Sequence, residues 1–241
     1  MKIGTTQEWR EARVALLENE KALVAANKAM LAERRQLPVV PVTKDYQFEG
    51  PNGPVSLQAL FGSATQLIVY HYMFEPNWED GCTGCAFIAA NFPDLRHLAE
   101  RETNLAVISR APIDKITAWK NKNFWKFQWV SSLGSDFNYD YHVTLDEDIA
   151  PVEYNFKTKG EMEASGRKGP WKGEMPGLSV FKLEDGQVYH TYSSYANIDE
   201  LTATNAWLDL TPHGRDEGPR GDAVFQTPWE YAQEEKAGAK N

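Results

Sequence analysis

The sequence predicts an α/β fold: a mixed central sheet flanked by helices, with a long N-terminal helix in front of it. Three observations carry this. Residues 5–36 contain neither proline nor glycine and are rich in Ala, Leu, Glu, Lys and Arg, the composition of one uninterrupted helix. Two apolar runs, Leu67–Phe74 and Leu105–Ser109, are separated by a helix-length stretch, as in parallel strands joined by a crossover. Leu178–Leu183 and Val188–Tyr192 flank Glu184-Asp185-Gly186-Gln187, and Asp-Gly between two alternating runs is a strong hairpin signal.

Taken in order, Thr5-Thr6-Gln7-Glu8 has the Thr-x-x-Glu form of a capping box at the helix start. Along that helix Trp9, Leu16, Leu23, Met30 and Leu37 recur every seven residues, with Leu17, Val24 and Leu31 beside them. The seam is narrow, so the helix is expected on a surface, packed either on its own domain or on a second copy of the chain. Pro38 and Pro41 end it and begin an extended segment. Tyr46–Glu49 and Pro54–Leu57, around Gly50-Pro51-Asn52-Gly53, form a hairpin, and a short helix over 57–61 leads to the strand at 67–74. That strand is apolar on both faces, as a central strand covered by helices should be.

A helix follows from the cysteines and is kinked or restarted at Pro93 on its way to about Arg101. Next come the 105–109 strand and a helix from Pro112 to Lys122. The aromatic patch Phe124–Trp129 reads either as core or as the wall of a pocket. From Asp146 to Glu174 the chain turns polar and glycine-rich, which predicts an irregular insertion, a lid or a surface excursion. After the second hairpin a helix is expected over about 198–208, capped by Asn197, then a loop through 212–219. Thr227-Pro228-Trp229-Glu230 opens a last short helix, with Ala237–Asn241 frayed. The expected organisation is an N-terminal amphipathic helix over 1–37, an α/β domain over 38–210 with its 146–174 insertion, and a C-terminal extension over 211–241.

The chemistry concentrates in Gly81-Cys82-Thr83-Gly84-Cys85, which holds the only two cysteines of 241 residues. A Cys-x-x-Cys pair between a strand and a helix reads as a redox centre. Cys82 at the helix start lies among unpaired amides that favour a thiolate, and Cys85, one turn on, returns to the same face. Gly81 and Gly84 allow tight backbone there. Glu79 and Asp80 place negative charge just upstream, so only modest activation of Cys82 is expected. Two structural thiols, or half a metal site, are the competing readings. The five histidines form no close pair at ligand spacing, so no metal and no cofactor are expected. His71 and His190 are possible proton shuttles, although a histidine inside a strand is more often a hydrogen-bonded core residue.

The segment from Phe48 to Val143 resembles the peroxiredoxin branch of the thioredoxin fold. The likeness lies in Phe48-Glu49-Gly50-Pro51, Leu57–Gly62 and the Ser135-Asp136 stretch. Over nearly the whole chain the sequence is similar to a bacterial family of uncharacterised thioredoxin-like proteins, predicted dithiol–disulfide oxidoreductases. The matching motifs include Met73–Trp78, Gly81-Cys82-x-x-Cys85, Ser109–Pro112, Trp129–Ser132, Gly134–Tyr139, Gly177–Phe181, His190–Ser193 and Leu210–Pro212. The resemblance implies Cys82 as attacking and Cys85 as resolving thiol, with Thr83 and Gly84 supporting. It also implies a cis-proline beside the cysteines, for which Pro176 is the candidate.

The expected activity is therefore thiol–disulfide exchange, with a protein or small-molecule disulfide as substrate and a separate reductant. A thiol peroxidase, or a non-catalytic binding module built on the same fold, is the alternative. The net charge of −9 excludes nucleic acid and anionic membrane as expected partners, since both need a basic face. No run approaches the length of a membrane span. The charged Met1–Glu20 stretch has no apolar centre, so no signal peptide is expected, and a cytoplasmic setting suits a cycling dithiol. A homodimer through the N-terminal helix is the expected assembly.

Overall fold

The computed structural model describes residues 2–169, 171–195, 198–215 and 226–238. It divides into two compact units, 1–39 and 40–241. The first unit is essentially one helix, α1 (Thr6–Arg34), in which no residue is buried. The expected capping box closes its start: the Glu8 amide donates to Thr5 Oγ1 (3.2 Å), and the Thr5 amide donates to Glu8 Oε2 (2.6 Å).

The second unit opens with β1 (Val40–Pro41), the hairpin β2 (Gln47–Gly50) and β3 (Gly53–Ser56), and a 3₁₀ turn over Gln58–Phe61. Then follow β4 (Gln66–His71), α2 (Thr83–Ala90), α3 (Leu95–Ala99), β5 (Thr103–Ser109), α4 (Ile113–Lys122), β6 (Gln128–Ser131) and α5 (Phe137–Asp140). Beyond these lie β7 (Thr144–Asp146), β8 (Glu153–Tyr154), β9 (Lys157–Thr158), α6 (Lys159–Ala164) and β10 (Lys172–Glu174). The long hairpin β11 (Gly177–Glu184) and β12 (Gln187–Ser194), then α7 (Ala203–Leu208) and α8 (Pro228–Gly238), complete the unit.

Eight strands form one sheet in the order β1-β12-β11-β4-β5-β6-β2-β3. The three central strands β4, β5 and β6 are parallel, and β11 runs antiparallel to β4 with Gly177 opposite His71. This is the thioredoxin-like mixed sheet that the sequence predicts. Alternation along β4 sorts its side chains between two cores. Leu67 and Val69 pack on one face with Phe48, Phe61, Phe137 and Phe181. Ile68, Tyr70 and Tyr72 pack on the other with Cys85, Trp119, Trp125 and Trp129. At roughly 1.5–3 kcal/mol for each large apolar side chain withdrawn from water, these two layers are what hold the sheet.

Several expectations need correction. The 146–174 stretch is not irregular: it carries two small antiparallel sheets, β7 with β10 and β8 with β9, and the helix α6 capped by Thr158 and Glu161. Its Val152, Tyr154 and Met162 join Val143, Leu145 and Tyr195 from outside the stretch in a satellite core, whose members lie too far apart for a periodicity to show. The aromatic patch is core, with Trp125, Phe127 and Trp129 buried and Phe124 alone exposed. The helix expected over 198–208 is a 3₁₀ turn (Ile198–Leu201) followed by α7, whose N-cap is the buried Thr202. Asn197, Pro170 and residues 216–219 lie outside the described residues. The last helix starts as predicted, with the Glu230 amide donating to Thr227 Oγ1 (3.3 Å) and the Thr227 amide to Glu230 Oε2 (2.6 Å). No described helix is long and apolar enough to cross a membrane.

Candidate active site

The cysteines sit where β4 ends. Beyond His71 the chain leaves the sheet, and the backbone of Met73 engages both of them. Its carbonyl accepts from the Cys82 amide (3.1 Å), and its amide donates to Cys85 Sγ (3.4 Å). Cys82 is the N-cap of α2, at φ −55° and ψ 128°, and Cys85 lies in its first turn. The loop between is braced by Lys115, which donates to the carbonyls of Trp78 (2.9 Å) and Pro76 (3.3 Å), and by Lys122, which pairs with Asp80 (3.2 Å). Beneath it the Tyr72 hydroxyl donates to the Cys82 carbonyl (2.8 Å) and accepts from Trp119 Nε1 (2.9 Å).

That pair explains Gly81. A Cβ at this position would lie 2.7 Å from Trp119 Nε1 and 2.8 Å from Tyr72 Cε1, so only glycine fits. Gly84 differs from the expectation: it is exposed, and an added Cβ would meet only Cys82 Sγ at 3.8 Å. Thr83 is exposed too, and its side chain has no hydrogen-bond partner among the described residues. The two intervening residues thus leave a small, open approach to the first sulfur.

The sulfurs occupy different environments. Cys82 is half-buried and Cys85 is buried. The Cys82 thiol is brought down to about 6, chiefly by a hydrogen bond from the Cys85 thiol, with the amides of Cys85 and Gly84 adding to it and partial burial opposing. No tight capping bond is made to this sulfur, so the amides act mainly as the positive end of the helix. Burial holds the Cys85 thiol well above its ordinary range, and its hydrogen bond to Cys82 and the charge there raise it further. The Tyr70 hydroxyl, fully buried with no well-formed hydrogen bond, faces the same sulfur electrostatically. Cys82 is thus more strongly activated than expected. The upstream carboxylates oppose it little: Glu79 points into solvent 3.7 Å from Lys115, and Asp80 is paired with Lys122.

Two other residues singled out in the sequence, Pro176 and His71, lie at the end of β4 from which the cysteine loop departs. Pro176 precedes the Gly177–His71 pair, which brings it to the end of the sheet from which the cysteine loop departs. Its carbonyl accepts from the Tyr154 hydroxyl (2.9 Å). His71 is not a shuttle for the thiols: it lies on the opposite face of β4, bonded to Ser179 Oγ (2.9 Å) and stacked on Tyr141. Among the described residues no group of three or more His, Cys, Asp or Glu side chains is placed to hold a metal ion. The sequence reading missed Tyr70, Tyr72, Trp119, Lys115 and Lys122. The alternation of Tyr70 and Tyr72 with His71 in a central strand was the available signal for the first two. It also missed the buried Glu174, which accepts from Arg110 (3.1 Å), Thr144 (2.9 Å) and Asn138 (3.3 Å) beside this end of the sheet.

A family profile described as "Bacterial protein of unknown function (DUF899)" matches residues 1–234, and the chain belongs to this family. The search of curated proteins finds no match. Among solved structures the chain is similar to a cysteine-to-serine mutant of peroxiredoxin Q from Xanthomonas campestris, at 13% identity and a TM-score of 0.48, covering 72% of this chain and 97% of that one. It is also similar to peroxidoxin BcpB from Mycobacterium tuberculosis, at 17% identity and a TM-score of 0.44, covering 68% and 90%. A third is the mitochondrial 2-cys peroxiredoxin from Plasmodium falciparum, at 17% identity and a TM-score of 0.41, covering 66% and 81%.

Proposed function

We propose that this member of the DUF899 family is a thiol–disulfide oxidoreductase that cycles Cys82 and Cys85 between dithiol and disulfide. The observation that carries the reading is the asymmetry of the pair: an accessible sulfur with its pKa near 6, hydrogen-bonded by a buried thiol one helical turn away. Near neutral pH the first is mostly thiolate and the second is still a thiol, which is the division of labour that exchange requires.

The Cys82 thiolate attacks one sulfur of a substrate disulfide, forming a mixed disulfide and expelling the other sulfur as a thiolate. The charge on Cys82 is then gone, and with it one of the forces holding the proton on Cys85. Cys85 loses that proton and attacks Cys82, so the second substrate thiolate leaves and an intramolecular disulfide remains. The dithiol has given up two electrons, and a thiol reductant restores it. The substrate is a protein or small-molecule disulfide, and the apolar seam of α1 is assigned to contact with a second copy of the chain.

Half-burial of Cys82 favours a small oxidant, and this supports a second reading in which peroxide takes the place of the disulfide. Turnover of a small disulfide and of hydrogen peroxide, each with wild type, Cys82→Ser and Cys85→Ser, tests both. Cys82→Ser should be inactive, and Cys85→Ser should stop at a stoichiometric mixed disulfide. Equal activity of the three proteins on both substrates would end the redox reading. Oxidation of Cys82 by peroxide no faster than that of free cysteine removes the second reading alone.

A further inference from the structure

On the face of the sheet away from the cysteines lies a cavity of about 430 Å³ that the redox chemistry does not use. Its walls come from the chain before β2, from α5 and His142, from the β8–β9 hairpin and from β12. That volume is in the range of small-molecule pockets. The rings of Tyr141, Phe156, His190 and Tyr195 line it, with His190 edge-on to Tyr141 (5.3 Å) and Phe156 edge-on to Tyr195 (5.5 Å).

The hairpin that supplies Phe156 is strained. Asn155 and Phe156 are the two residues of a tight turn, and both have positive φ (51° and 59°). A two-residue turn of this hand suits Asn followed by Gly, and a bulky residue at positive φ is a genuine outlier. The strain sets a ring that is 70% exposed at the mouth of the cavity. An aromatic side chain kept in an unfavourable backbone conformation, with most of its surface in water, points to a ligand.

The charges facing the cavity select the ligand's sign. Lys44 is taken by Asp140 (2.6 Å) and lies 3.8 Å from Asp136, and the Tyr46 hydroxyl also donates to Asp140 (2.7 Å). Glu153 makes no side-chain hydrogen bond among the described residues, and the titratable groups that face it are the His142 ring at 3.9 Å and the Tyr195 phenol, neither of which neutralises it as a lysine or arginine would. His190 Nε2 lies 2.8 Å from Ser193 Oγ and 3.1 Å from the Tyr192 carbonyl, so a proton on this nitrogen has its partners inside the protein. Open acceptors and aromatic faces without a spare cation are complementary to a positively charged group.

We propose that this cavity binds a small organic cation with an aromatic or planar body, its charge on Glu153 and its ring against Phe156. The cavity's lining includes neither cysteine.

The test is calorimetric titration of the full-length protein with phenethylammonium, the uncharged 2-phenylethanol and the anionic phenylacetate. Phenethylammonium should bind saturably at one site per chain, at least about tenfold tighter than phenylacetate. Glu153→Gln should weaken it by about tenfold, and Cys82→Ser should leave it unchanged. Phe156→Gly separates ligand binding from folding: it relieves the positive φ, so the melting temperature should rise while affinity falls. Phenylacetate binding as well as phenethylammonium, no saturable binding of the cation, or undiminished affinity in Phe156→Gly would each overturn the proposal.

Discussion

At Cys82 the acidity of one sulfur depends on the proton of another. Because the Cys85 thiol is the largest cause of the lowered pKa, Cys85→Ala should raise the midpoint of Cys82 alkylation from about 6 toward the ordinary value of about 8.5. Iodoacetamide rates measured against pH give both midpoints, and an unchanged midpoint would assign the effect to the helix amides instead. The same asymmetry shapes the stability of the reduced protein. Between about pH 6 and about 8.5 the unfolded chain holds a proton on Cys82 that the folded one has lost, so stability rises with pH. Above about 8.5 the folded chain keeps the Cys85 proton that the unfolded one loses, and the slope reverses. Urea midpoints across this range should pass through a maximum that is absent from Cys82→Ser/Cys85→Ser. Gly81→Ala should cost about 1–3 kcal/mol by forcing Tyr72 and Trp119 apart, whereas Gly84→Ala should stay within about 1 kcal/mol of wild type. Denaturant titration of the two variants reads the difference.

At the scale of elements, the buried Glu174 ties β10 to the core through Arg110, Asn138 and Thr144. Burial raises its pKa in spite of the guanidinium alongside, so the carboxylate is not a net source of stability at neutral pH. Glu174→Gln, which keeps most of the hydrogen bonds, should therefore cost less than about 1 kcal/mol at pH 7. Glu174→Ala, which strands three donors, should cost about 2–4 kcal/mol. Comparable losses in both would contradict this account. Such a tie is invisible in the sequence, because its members are spread over residues 110, 138, 144 and 174 and share no period. The elements that could be read in advance were those with a local signal: the Thr5–Glu8 cap, the Asp185-Gly186 turn, and Pro112 ahead of α4. The stretch from 146 to 174 could not, since its few apolar residues form a core with Val143 and Leu145 ahead of it and Tyr195 from beyond β12.

For the molecule as a whole, the positions of Cys82 and Cys85 were legible because strand, loop and helix follow one another directly. The degree of activation was not. Glu79 and Asp80 look like close neighbours in sequence, but Lys115 and Lys122, about forty residues on, neutralise or turn away their charge. In α1 none of the seven-residue stripe is buried, and Trp9 and Leu23 are 66% and 72% exposed. If that stripe meets a second copy, Leu23→Glu should convert a dimer to a monomer in sedimentation velocity without changing the activity of the thiol pair. A wild-type monomer at all concentrations would reject the pairing.

One residue separates the side chain that faces the sulfurs, Tyr70, from the histidine that faces the other core, His71. Adding a single residue within β4 would exchange the two, delivering an imidazole to the thiols and a phenol to the serines of β11 and β12. The length of this six-residue strand is thus constrained from both sides at once, and natural length variation should collect at hairpin tips such as 185–186 and never between 66 and 71.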